Sequence, residues 1–168
     1  MNLQDLGLML DYHYWARDRV LEAVEPLTQE QYTRDMGNSF RSIRDTLVHI
    51  YFAEWAWHLR WLGESPSRLS PELFPDLAAL RKTWVDHEAT VRGFVEKLGE
   101  DGIQRVFHYK LMSGPAGASP FWQMLQHVVN HASYHRGQVT TLLRQVGVAP
   151  PKSMDMIAFY RERSSPAG

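Results

Sequence analysis

Residues 127–138 read HVVNHASYHRGQ, so His127, His131 and His135 recur at every fourth position. Imidazoles at that spacing lie on successive turns of one helix, the reach that two ligands need to share an ion. Three cannot share it. Each four-residue step turns a helix by about 40° and advances it by about 6 Å, which puts His127 and His135 about 12 Å apart along the axis. Two imidazoles on one metal, each at about 2.1 Å, must nearly touch. The spacing therefore selects His131 and His135 as a ligand pair and turns His127 outward. An HxxxH pair also occurs where two imidazoles are simply hydrogen-bonded in or beside a core. The metal reading gains weight because His135 falls on the apolar seam Leu125, Val128, Ala132, Val139, Leu142. A seam histidine needs partners for both ring nitrogens, and an ion on one with an acceptor on the other supplies them.

The rest of the composition narrows the chemistry. The chain has no cysteine, which excludes disulfides, thiolate nucleophiles and sulfur-ligated metals, so any metal takes nitrogen and oxygen ligands. G-x-S-x-G, the P-loop and G-x-G-x-x-G are absent, as are HExxH and the paired Glu-x-x-His of di-iron bundles. The six tryptophans fall at helical spacing, which fits core packing better than base stacking. Eighteen basic and nineteen acidic side chains nearly cancel, leaving no electrostatic footprint for nucleic acid or an anionic membrane. The opening MNLQDLGLML lacks a basic n-region. No apolar run reaches membrane-span length, because Glu54, His58 and Arg60 interrupt the aromatic-rich second segment. A cytoplasmic protein with one domain over residues 1–168 is the expectation.

The elements that must position these histidines read as helices. Leu6, Met9, His13, Ala16, Val20, Ala23 and Leu27 form an inward stripe in steps of three and four, ended by Pro26 and a polar stretch over 28–38. A second helix begins near Ser42, with Ser42-x-x-Asp45 matching a capping box, and stops near Leu62 before Gly63 and Pro66. It carries two apolar stripes, Ile43, Leu47, Ile50, Trp57, Trp61 and Val48, Phe52, Trp55, Leu59, Leu62, which predict a central helix. Glu54 lies within the first and needs a partner there. A third helix follows Pro75-Asp76. IQRVFHYKLM reads as a strand, SGPAGAS as a flexible turn. The fourth helix opens with Ser119 as N-cap and Pro120 as first residue and closes at Gly147. MDMIAFYRER is a short amphipathic end piece. Four long amphipathic segments predict an all-α four-helix bundle, with the loops 28–41 and 99–118 long enough to alter simple up-down order.

A third metal ligand must come from another helix, and periodicity leaves it open. His13 and His87 face inward by stripe position. His49 lies off both apolar stripes, on a narrow face with Ser42, Thr46, Ala53 and Ala56, small neighbours that suit either an ion with a substrate or close helix packing.

The segments DYHYWARDRVLEAV, RSIRDTLVHIYFAEWAWHLRWLG and HVVNHASYHRGQVTTLLRQVG, with the closing MDMIAFYRER, together resemble the DinB/YfiT-like superfamily over nearly the whole chain. The resemblance implies a four-helix bundle with a long crossover connection, often a homodimer. It also implies a divalent metal held by one histidine of the second helix and two of the fourth, here His49, His131 and His135. Zinc or nickel suits such nitrogen ligation, with iron and manganese as further options. Three neutral imidazoles leave a coordination position open, as in catalytic sites. Relatives include transferases using low-molecular-weight thiols such as bacillithiol or mycothiol, and metal-dependent hydrolases. The expected function is a thiol S-transferase-like activity on a small-molecule substrate. Hydrolysis and a non-catalytic, stress-related metal-binding bundle are the rivals. His13, His127, Arg136 and Gln138 are expected to line or orient the site. Relatives often carry asparagine after Trp-Ala, where this chain has Arg17, so substrate identity does not transfer.

Overall fold

The computed structural model describes residues 1–164. It is mostly helical: α1 (Leu3–Val24), α2 (Gln29–Thr33), α3 (Ile43–Trp61), α4 (Leu77–Gly102), α5 (Phe121–Gln145) and α6 (Met156–Ser164), with a two-stranded antiparallel hairpin, β1 (Val106–Lys110) and β2 (Ala116–Pro120), between α4 and α5. No helix is long and apolar enough to cross a membrane.

Local chemistry sets most boundaries. Asn2, Thr28, Ser42 and Asp76 cap α1, α2, α3 and α4 through side-chain oxygens that accept a backbone N–H three residues on, satisfying donors that a helix start leaves free. Gly63 (φ 81°) and Gly147 (φ 78°) follow α3 and α5 in the left-handed region, where a side chain is strained.

Three expectations change. The polar stretch 28–38 holds α2, whose Tyr32 is buried. The cap of α5 is Pro120, without a side-chain hydrogen bond; Ser119 belongs to β2, and its hydroxyl meets Tyr109 Oη at 3.2 Å. The supposed flexible turn contributes β2 itself, opposite Val106–Lys110. Its small residues serve packing: a Cβ on Gly117 would lie 2.7 Å from Cε2 of Tyr109, so only glycine lets that ring lie across the hairpin.

α1 packs mainly against α5 and α4, and α3 mainly against α5, with α2, α4 and β1 on its other sides. Two large apolar clusters fill the bundle, and a small third one, Tyr12, Ala16, Val129 and Phe159, seats α6. One joins Leu6 and Leu10 of α1, Trp57 and Trp61 of α3, Val91 and Val95 of α4, and Phe121 to Val128 of α5. The other joins Val20 to Val24, Ile43 to Tyr51, Leu80 with Trp84, and Ala132 to Leu143. The order of these clusters along each helix makes α1 and α5 run one way, α3 and α4 the other. Parallel neighbours α3 and α4 then need a connection that returns along the whole helix. Residues 62–76, with a 3-10 turn at Pro71–Leu73 against α3, provide it, rather than the two loops singled out by length.

Between the two clusters lies a buried polar layer. His13, Arg17, Glu54, His58 and Arg136 are all buried, with His87 half-buried beside them. Glu54 accepts from His13 Nε2 (2.8 Å), Tyr14 Oη (3.0 Å) and Trp84 Nε1 (2.8 Å). These are the partners its place in an apolar stripe demands.

The layer makes stability depend on pH. Burial, above all, pulls His13 and His87 below the ordinary imidazole range and His58 down to about 4. Burial pushes Glu54 up, but hydrogen bonding and charge from His13 outweigh it and hold the carboxyl below its usual value. Below pH ~6.5 the unfolded chain therefore binds more protons than the folded one, and stability falls with pH. Below pH ~4.5 Glu54 adds to the loss in the same direction. The thermal midpoint of metal-free protein is expected to be flat above pH 7 and to fall steadily from pH 6.5 to 4. A midpoint that holds or rises on acidification would contradict neutral burial of these rings.

Candidate metal centre

α3 and α5 pack side by side and bring His49 against His131 and His135. One ring nitrogen from each histidine lies within 4.8 Å of the other two, and His49 Nε2 stands 3.0 Å from His131 Nε2. Around a tetrahedral ion with bonds of about 2.0–2.1 Å, neighbouring nitrogens sit about 3.3 Å apart, so this pair needs only a slight opening. His135 Nδ1 donates to Gln138 Oε1 at 2.8 Å, one turn further along α5. That bond fixes the ring and leaves Nε2 as its free ligand atom, the usual role of a group behind a metal-bound imidazole.

Two of the three rings, His49 and His131, are held neutral, the state that ligation requires. Burial first, then the nearby His135, lowers His49 to about 4. Burial lowers His131 to about 3, with His135, His49 and His127 adding to it. Nδ1 of His131 is buried and has no hydrogen-bond partner among the described residues. Three convergent ring nitrogens, with the His135 ring already oriented by Gln138, fit a divalent metal ion.

His127 is exposed; its ring is 5.7 Å from that of His131 and 5.3 Å from Trp57, and it lies outside the cluster, as the helix geometry requires. His13 and His87, the other candidates for third ligand, belong to the polar layer. His13 is bonded to Glu54, and the His87 ring is 5.0 Å from that of His58. Arg136 points away from the histidines toward α1. It is buried, donates to Ser133 Oγ at 2.9 Å and lies over the Tyr12 ring. Arg17 is buried and paired with Asp18 and Glu88.

Phe40 belongs to the site and was not foreseen. Its ring stacks on His49 at 3.8 Å and meets His135 edge-on at 5.3 Å. Its only trace in the sequence is an aromatic residue shortly ahead of the Ser42 cap. A cavity of about 500 Å³ opens beside it, with His49 in its wall.

A mostly helical fold with three histidines converging between two long helices defines a helical protein with a candidate metal centre. The chain belongs to the DinB family, whose model matches residues 1–163. It is 25% identical over 150 residues to Protein DinB of Bacillus subtilis (strain 168), an alignment covering 84% of this chain and 86% of that protein. Its fold is similar to the crystal structure of a DinB-like protein from Bacillus cereus ATCC 10987, with a TM-score of 0.60, 21% identity, and coverage of 86% of this chain and 95% of the other.

Proposed function

We propose that this chain is a metal-dependent enzyme of the thiol S-transferase type, built on a four-helix bundle, with His49, His131 and His135 as the ligands of a zinc or nickel ion. The observation that carries the reading is the convergence of three histidine ring nitrogens beside a ligand-sized cavity that His49 lines. A divalent ion bound there would leave a coordination position for a small thiol, whose proton it would make easier to lose. The chain supplies the rest. Gln138 holds His135 with Nε2 facing the other two rings, while Phe40 covers one face of His49 and keeps water from it. The cavity receives the electrophile beside the same ring.

The test is conjugation of chlorodinitrobenzene with glutathione, bacillithiol and mycothiol, using protein purified without a polyhistidine tag. A zinc- or nickel-dependent rate with at least one thiol, abolished in His49→Ala, is the expected result. No metal-dependent rate with any thiol would move the reading to hydrolysis, in which the open position takes water. Less than about a tenth of an equivalent of metal, with no uptake from added zinc, would end both.

A further inference from the structure

We infer that the cavity at His49 takes a small amphipathic anion, an apolar body carrying one carboxylate or sulfonate, as the electrophilic substrate of the proposed metal centre, an assignment that rests on that reading. The cavity's volume, about 500 Å³, falls in the range of small-molecule sites. Four segments build it. Val48 and Phe52 come from the second apolar stripe of α3, Leu69 and Pro71 from the returning crossover, Phe40 from the loop before α3, and Met112 from the hairpin turn. This accounts for a sequence feature that the fold leaves unused. The first stripe of α3 is buried in the interior, whereas Phe52 is only half-buried, and here it has a wall to form.

Charge decides what the apolar body carries. Three charged side chains line the cavity: Asp45, Arg41 and Arg68. Asp45 accepts from Arg44 Nε at 2.9 Å, and Arg41 donates from Nε to Asp35 at 3.0 Å, so both are already matched. Arg68 is exposed and makes no ion pair or hydrogen bond among the described residues. The cavity is therefore apolar with one uncompensated positive charge at its rim, complementary to a single anionic group. With that group at Arg68, the apolar body extends toward Phe40 and His49, where the reacting atom would lie.

Fluorescence titration with anilinonaphthalene sulfonate and its neutral analogue N-phenylnaphthylamine tests this, on zinc-loaded and metal-free protein. Both probes are expected to bind both forms, the sulfonate more tightly. Arg68→Glu should weaken the sulfonate at least threefold and leave the neutral probe unchanged. Phe52→Asp should weaken both at least fivefold. Met112→Asp alters an exposed residue, so it does the same without endangering the fold, which circular dichroism checks. Probe affinities unmoved by Met112→Asp and Phe52→Asp, or an Arg68→Glu effect equal on both probes, would overturn the inference. So would loss of probe binding as the protein dimerises, which would make a second copy the occupant. Normal zinc uptake with no probe binding overturns this inference and leaves the metal reading standing. Probe binding without metal uptake removes the metal reading, and with it the cavity's role as a substrate site.

Discussion

His135→Ala is expected to lower zinc affinity by at least a hundredfold, about 2.7 kcal/mol, while His127→Ala changes it by less than about threefold. Both residues belong to the same four-residue series on α5, so composition and local helix propensity are nearly matched and position alone separates them. His135 directs Nε2 at the cluster and is held by Gln138. Its loss leaves two candidate ligands, His131 on the same helix and His49 on α3. His127 is exposed and touches the cluster only ring to ring through His131. Gln138→Ala should fall between them, in the roughly 10–100-fold range found when a group that orients a ligand is removed. Competition against a chromophoric chelator gives these affinities. Thermal shift gives an independent readout, since free metal at about 100 times Kd stabilises the wild type by about 2.7 kcal/mol and should leave His135→Ala unmoved. A reversed order, with His127→Ala the more damaging, would place the ion elsewhere on α5.

How much of this site a single chain announces depends on which links are local. The choice of His131 and His135 over His127 needs only rise and twist, and these two are the rings that lie within 4.8 Å of His49. The cap at Ser42, the helix start after Pro75-Asp76 and the stops at Gly63 and Gly147 were equally legible, being short-range chemistry. The third ligand was not. Which face of α3 meets α5 is a tertiary fact, and His13, His49 and His87 were equivalent until the helices docked; the family resemblance, not periodicity, pointed to His49. Phe40 lies on a loop whose path no periodicity records. β2 was hidden because Ala116–Pro120 has no β-branched residue, and its pairing depends on the Tyr109 ring lying over Gly117. The route of the crossover was hidden too. Loop length alone does not reveal that α3 and α4 run parallel, and it is that direction which makes residues 62–76 return along α3 and wall the cavity.

Glu54→Ala is expected to destabilise the protein by about 3–5 kcal/mol, the range for removing one partner of a buried charged group. That is a large share of the roughly 5–15 kcal/mol that holds a typical domain, and in a chain of this size it lowers the thermal midpoint by roughly 10–15 °C. The size follows from what the carboxylate joins. It accepts from two residues of α1 and one of α4 while standing on α3, so its loss strands three buried donors on two helices and unties three helices at once. It also removes the negative charge of α3 that the buried Arg136 of α5 feels. Unmade hydrogen bonds of this kind cost about 1–3 kcal/mol each, but the small cavity left by alanine can admit a water, which keeps the total below their sum. Glu54→Gln keeps one acceptor and turns an NH₂ toward the remaining donors, so it should fall short of alanine yet exceed 1 kcal/mol. Urea unfolding of metal-free protein measures both, and a loss below about 1 kcal/mol for Glu54→Ala would mean that the polar layer contributes nothing to stability. Because Glu54 lies outside the histidine cluster, zinc affinity in folded Glu54→Gln should stay within about threefold of wild type. Stability and metal binding then separate by residue: the layer around Glu54 ties the helices together, and the histidines between α3 and α5 are left free to hold the ion.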